Sequence, residues 1–416
     1  MHCTNIKRLS SLNRASITHM LCSRNGWFLA GCLAVAAQTA GCRKPAPKQN
    51  PVPAATPTAS SPTTISSELA LASAQGQLTA LRRLFALSTE GEAFISDNVV
   101  SNETSLLQPA QALAALRGGV YIGVGPEQNY TYIALSRPEL AVIVDLRRDN
   151  ALLHLLYKAL FDVAASRLEF LCLLLGRPYN PAFEPETDSH AKALIAAAQG
   201  IAPSRDWFDR QHARLIDRVN SYGLGLSESD IARVGRIHEL FFERQLELRF
   251  ELHKANGRKY PSLQRLLTLR SRTGVGTFLD DRESFQFVQQ LHRQHRIVPL
   301  VGDVSAPQPL GAVADELRRR KLELSALYIS NVEQYLIGQP SFRGWLDNLH
   351  QLPHDHGSIL LRCYLDQGRP HPLQQPGQRS VSIAQRLTPF LDSATKRLNR
   401  SYFDIVTDDT LLAEPP

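Results

Sequence analysis

Two glycines and a chain of acids set the first chemical question. Gly123 and Gly125 punctuate "GVYIGVG", and Asp145 closes "LAVIVD" twenty residues after Gly125. Glycines at the end of a strand let the backbone turn tightly and approach a ligand. An acid at the end of the next strand is where a nucleotide-binding fold holds ribose hydroxyls. Further on, "RIVPLVGD" ends on Asp303 and "LSALYISN" ends on Ser330 and Asn331. Glu127 and Asn129 follow the glycine turn, and Asn102 and Glu103 lie in "SDNVVSNETS" ahead of the first strand. The last pair either closes over a cofactor or serves as a helix cap.

The elements that must position these residues alternate. "GVYIGVG" has the β-branched and aromatic content of a strand. "PEQNYTYIALS" reads as a helix with Pro126 in its first turn. "LAVIVD" is the near-continuous apolar run of a parallel strand buried on both faces. "NALLHLLYKALFDVAASRLEFLCLLLG" reads as a long apolar helix or a helix pair. A third strand is expected over Ile297–Gly302, a helix over Leu310–Arg320 and a fourth strand over Leu324–Ile329. "SILLRCYLD" and "YFDIVTDD" are the candidate last strands. This alternation predicts an α/β fold with a doubly wound, mainly parallel sheet. Residues 176–285 read as a large helical insert between the second and third strands. Within it Ser227 and Asp230 form a capping-box-like start, and Ile231, Val234, Ile237 and Phe241 share one face. The insert is expected to cap the carboxyl ends of the strands or to mediate association.

The order resembles that of class I S-adenosylmethionine-dependent methyltransferases. More narrowly, "GVYIGVGPEQNYTYIA", "VDLRR", "GD" and "ISNVEQYL" look like a bacterial family with a methyltransferase-like fold. The resemblance spans roughly residues 75–410. It implies that Gly123, Gly125, Glu127, Asn129, Asp145 and Asp303 surround S-adenosylmethionine, and that Ser330, Asn331, Asn102 and Glu103 line the substrate side. Glu127 stands where those enzymes carry the third glycine of their loop. Asn331 leads into Val-Glu-Gln rather than Pro-Pro-aromatic. The implied activity is methyl transfer to an unspecified acceptor. The alternative is a binding or scaffold protein that keeps the fold without the chemistry. A dehydrogenase using Asp145 on an NAD ribose is a third reading. It lacks a recognisable acid or base for hydride transfer.

The N-terminus carries its own chemistry. Gly26 to Ala37 is an apolar run of about a dozen residues, too short to span a bilayer and suited to a signal-peptide core. Arg24 flanks it, and Thr39, Ala40 and Gly41 precede Cys42. This resembles a bacterial lipobox, so residues 1–41 are expected to be a lipoprotein signal peptide and Cys42 the lipidated residue. Translation from Met20 would give a leader of ordinary length. Residues 42–65 are rich in Pro, Ala and Thr and are expected to form an extended tether. Residues 66–416 are then the α/β domain. The expected location is the cell envelope, lipid-anchored, with sorting to the outer membrane; the alternative is the cytoplasm.

Composition removes several classes. The chain has 416 residues and a net charge of +7, from 46 basic and 39 acidic residues. Lys7, Arg8, Arg14, Arg24, Arg43, Lys44 and Lys48 precede the first acid, Glu68. Removing those seven leaves a neutral body, so no nucleic-acid partner is expected. The expected partners are the membrane, through the lipid, and a small molecule or protein. "HQLPHDHG" groups His350, His354 and His356, but Pro353 argues for a solvated loop and no metal is expected. Gly274 and Gly276 read as a connector. Arg147 and Arg148 either meet an anionic ligand or are solvated. Cys172 reads as a buried thiol, and a bond to Cys363 is not required by the spacing. No G-x-S-x-G elbow or Walker loop is present.

Overall fold

The computed structural model describes residues 74–416, apart from 187–188, 255, 397–399, 409–410 and 413–416. The expected signal peptide, Cys42 and the tether lie outside the described residues. Six strands form one sheet: β1 Val120–Gly123, β2 Leu140–Asp145, β3 Ile297–Val301, β4 Leu324–Tyr328, β5 His354–Leu365 and β6 Ser380–Arg386. Their order is β3-β2-β1-β4-β5-β6, with every neighbouring pair parallel except β5 and β6. The fold is therefore mixed α/β on a mostly parallel sheet. Strands β1 and β3 are buried along their whole length, which accounts for their apolar runs. Pro299 is accommodated because β3 is an edge strand, where one side of the backbone needs no ladder partner.

The helices follow the sequence closely through the first half. The helix after β1 runs Gln128–Ser136 and stops at Arg137, which turns left-handed at φ +50°. The long apolar segment is a helix pair, Arg148–Val163 and Arg167–Leu175. Ala164 breaks it in an extended conformation, and the Ser166 hydroxyl caps the second helix through the Glu169 amide at 3.0 Å. Helices Arg205–Ser221 and Glu228–Arg244 pack against Arg148–Val163. The second begins with the Ser227–Asp230 capping box. These helices contact another helix; the carboxyl ends of the strands are crossed by the chain before β1, against which insert residues Leu252 and His253 pair.

Two expectations are corrected. "YFDIVTDD" is not a strand: Tyr402–Val406 is a helix, started by a capping box between Ser401 and Asp404. The sixth strand is "SVSIAQR", which packs Val381 and Ile383 inward and runs antiparallel to β5. "HQLPHDHG" is not one loop. His350 ends a helix, Pro340–Gln351, and His354 opens β5, where Asp355 accepts from the Gly357 amide at 2.8 Å. Among the described residues no group of three His, Cys, Asp or Glu could hold a metal ion, and no helix is long and apolar enough to cross a membrane. Cys172 and Cys363 are both buried and free.

Candidate functional site

The crossing segment defines the site. After the Ala74–Phe85 helix the Thr89 amide bonds to the Val301 carbonyl and the Glu92 amide to the Leu146 carbonyl, both at 2.9 Å. Gly91, at φ +88°, makes this approach possible; a Cβ there would stand 3.0 Å from the Arg148 amide nitrogen. Ser96 then bridges Leu252, and the His253 amide bonds to the Ile95 carbonyl at 2.9 Å. The Ser105 hydroxyl meets those of Ser380 and Ser382 at 2.8 and 2.9 Å. One stretch of chain thus reaches from β3 to β6 over the carboxyl edge of the parallel strands.

Beneath it lies the glycine turn. Gly125 adopts φ +76°, which favours glycine. Gly123 serves packing rather than ligand approach: a Cβ there would fall 2.0 Å from Asn129 Oδ1. Asn129 turns inward, donating to the carbonyls of Val124, Gly125 and Pro126 at 2.9, 3.0 and 2.7 Å while accepting from Tyr121 Oη at 2.8 Å. His154 Nε2 donates to the Gly125 carbonyl at 2.9 Å, so its Nδ1 accepts from Tyr130 Oη at 2.7 Å. Burial holds this imidazole down to about 4, hence neutral. The turn is preorganised by its own side chains.

The acids after β2 and β3 end adjacent parallel strands at one edge of the sheet, since Asp145 pairs in register with Val301. Asp145 accepts from the Gly125 amide at 3.2 Å and the Arg147 amide at 2.9 Å. Burial raises its carboxyl, and Arg147 and the two amides oppose that rise. The Arg147 guanidinium lies 3.8 Å from Asp145 and donates to the carbonyls of Asp97 and Asn98. Arg148 forms a two-pronged pair with Asp230, both bonds at 2.7 Å. Both arginines are therefore committed within the chain rather than solvated. Asp303 closes a local turn by accepting from the Ser305 amide and hydroxyl, each at 2.8 Å.

The strand order reverses between β1 and β4, where open α/β sheets form their ligand crevice. Glu103 occupies that place. It is buried and accepts from Tyr328 Oη at 2.7 Å, Ser330 Oγ at 2.5 Å and Gln128 Nε2 at 3.0 Å. Ser330 holds an unusual φ of +53°, a strain typical of sites where the surroundings dictate the backbone. Glu127, also buried, accepts from the Ser101 amide with both oxygens, each at 3.2 Å. Burial pushes its carboxyl up to about 7, the Ser101 and Glu127 amides pull it down, and the charge of Glu103 adds to the rise. Asn331 donates to Gln334 at 3.3 Å, and Asn102 is half-buried on the crossing segment.

The structure brings Glu103, Glu127 and Ser330 into one network and joins Gly125 to Asp145. Among the described residues no hydrogen bond joins Asp303 to that network. Sequence reasoning missed Ser101, Gln128 and Tyr328, which complete the network, because their partners are distant in sequence. It also missed Glu333, buried with Arg362 and accepting from Trp345 Nε1 at 2.8 Å, which fixes the turn after β4. Asn150, in the first turn of the Arg148–Val163 helix, is buried with neither amide atom partnered. It lies one turn before His154, on the face that meets the glycine turn.

A family model described as "Domain of unknown function (DUF7790)" matches residues 98–408. No curated protein matches the chain.

Proposed function

We infer that this chain, which belongs to the family described as "Domain of unknown function (DUF7790)", is an envelope-anchored binding protein with a methyltransferase-like, Rossmann-type fold. Its binding crevice lies between β1 and β4 and is closed by the segment before β1. The carrying observation is Glu103. It reaches from that segment to Tyr328 and Ser330 on one side of the crevice and to Gln128 on the other. A methyltransferase working on a cofactor in this place would need the segment displaced. The strand order and the acid at the end of β2 support the Rossmann-type reading. The lipid anchor rests on Cys42 and the apolar run before it.

The ligand is argued by charge. Glu127 stands at the start of the Gln128–Ser136 helix, where a dinucleotide fold receives pyrophosphate. A carboxylate there repels phosphate, so NAD is disfavoured and a ligand without phosphate is favoured. The second reading is an active S-adenosylmethionine-dependent methyltransferase, which would use proximity and in-line orientation. Asn150 favours it, because a buried amide without partners, one turn before the His154 that holds the glycine turn, suits a polar ligand.

Calorimetric titration of the full chain in detergent with S-adenosylmethionine and S-adenosylhomocysteine tests the crevice. If it binds either ligand, Asp145→Asn should weaken binding about ten- to a hundredfold. Binding indifferent to Asp145→Asn would place the ligand elsewhere, and silence at millimolar concentration would leave the scaffold reading.

A further inference from the structure

We propose that residues 96–105 are a gate over the crevice between β1 and β4, held shut through Glu127 and opened by the departure of one proton. The segment is anchored on both sides. Its approach is tied to β3 and to the residue after β2 by the backbone bonds of Thr89 and Glu92. Its far end is tied to β6 by Ser105 and by the Ser382 amide bonded to Gln108 Oε1 at 2.8 Å. Between these anchors the segment is held by Ser101, Glu103, the Arg147 bonds to the carbonyls of Asp97 and Asn98, the Ser96–Leu252 bridge and the buried Val100 side chain.

The groups facing Glu127 make the device proton-dependent. Glu103 faces it from the gate, Tyr130 from its own helix and Tyr157 from the Arg148–Val163 helix. None of the three is basic. With Glu127 protonated, the closed gate buries one carboxylate, Glu103, among neutral donors. With Glu127 ionised, two carboxylates share a crevice, and the cost is removed by parting them and admitting water. The closed state holds the Glu127 carboxyl at about 7, against 4.5 for the ordinary group. The closed gate therefore binds the proton more tightly than the open one, and opening releases it. Opening grows as pH rises from 4.5 toward 7 and levels off above, by about 300-fold in all. The Asp97–His253 pair, 2.8 Å long, lies on the same segment but both side chains are more than half exposed, so it contributes little.

The gate's purpose rests on the crevice being the binding site proposed above, but its motion does not, so the test uses no ligand. Hydrogen exchange of the full chain, corrected for intrinsic rates, is followed in peptides covering 96–105 between pH 5 and 8. The expected result is opening that increases on the order of 100-fold across that range, with β1 and β2 unchanged. Glu127→Gln, which mimics the protonated group and leaves the Asp97–His253 pair intact, should abolish the dependence. Glu103→Gln, which removes the facing charge, should shift it to lower pH. Carbon-13 carboxyl titration of the unmutated chain gives a readout that needs no variant, with Glu127 turning over near 7. Exchange independent of pH, an equal slope in Glu127→Gln, or an ordinary Glu127 titration would each overturn the proposal.

Discussion

Glu103 accepts a hydrogen bond from Tyr328 Oη at 2.7 Å across 225 residues of chain, and this contact joins the segment before β1 to the carboxyl end of β4. Three neutral donors converge on the one carboxylate. Removing it leaves the Tyr328 and Ser330 hydroxyls and the Gln128 amide without their acceptor. Glu103→Ala should cost about 2–4 kcal/mol in denaturant unfolding, while Tyr328→Phe, which leaves two donors in place, should cost about 1–2. Equal effects would mean that the network is held elsewhere.

Gly123 and Asn129 are coupled by space. A methyl group at position 123 meets Asn129 Oδ1, and the Asn129 amide holds three carbonyls of the turn. Gly123→Ala should destabilise by about 1–3 kcal/mol. In the background of Asn129→Ala the same change should cost less, since the nearest clash has gone and only Tyr121 Oη and Cε1, at 2.7 and 2.8 Å from the added Cβ, remain. Additive costs in the double-mutant cycle would contradict this account of the glycine.

The Arg148–Asp230 pair makes an acid-sensitive joint between the helix after β2 and the Glu228–Arg244 helix. The Arg148 guanidinium is the main cause holding the Asp230 carboxyl down at about 2, against an ordinary 3.8. A depressed carboxyl contributes stability that is complete above its ordinary value and lost as pH falls through about 2. Acid unfolding of the unmutated chain should therefore steepen between pH 4 and 2, and Asp230→Asn should remove that steepening. An unchanged acid profile in the variant would show that the pair contributes nothing measurable.

The two described cysteines should be silent in the native chain. Both are buried and free, and burial pushes the Cys172 thiol up to about 12. Iodoacetamide at neutral pH should label neither Cys172 nor Cys363 until denaturant is added. Rapid native labelling of either would contradict the packing described here.

Much of the sheet was legible because parallel strands buried on both faces are written as apolar runs. "LAVIVD" and "IVPLV" could be little else, and Ser227 with Asp230 announced a helix start. The last strand was misread because "YFDIV" has strand composition, although Ser401 and Asp404 also spelled a capping box three residues apart. The site was legible only in part. Gly125 and Asp145 sit in one local unit, so their spacing carried the relation. Gly123 was read as room for a ligand, yet the room is taken by Asn129 six residues on. The partners of Glu103 lie on β4 and beyond, and no local pattern links residues so far apart in sequence.

We infer that the crevice at the strand reversal binds a ligand only when its own segment gives way. The most direct measurement is the affinity of the full chain for S-adenosylhomocysteine at pH 8, compared with that of Glu103→Gln, with NAD as a control. A closed crevice taxes the apparent affinity by the fraction of open molecules. Weak binding by the unmutated chain is expected, roughly millimolar, tightened about tenfold by Glu103→Gln because losing the acceptor that grips Tyr328 and Ser330 outweighs the charge repulsion removed, with no detectable binding of NAD, whose pyrophosphate meets Glu127. Tight binding by the unmutated chain that Glu103→Gln leaves unchanged would contradict it.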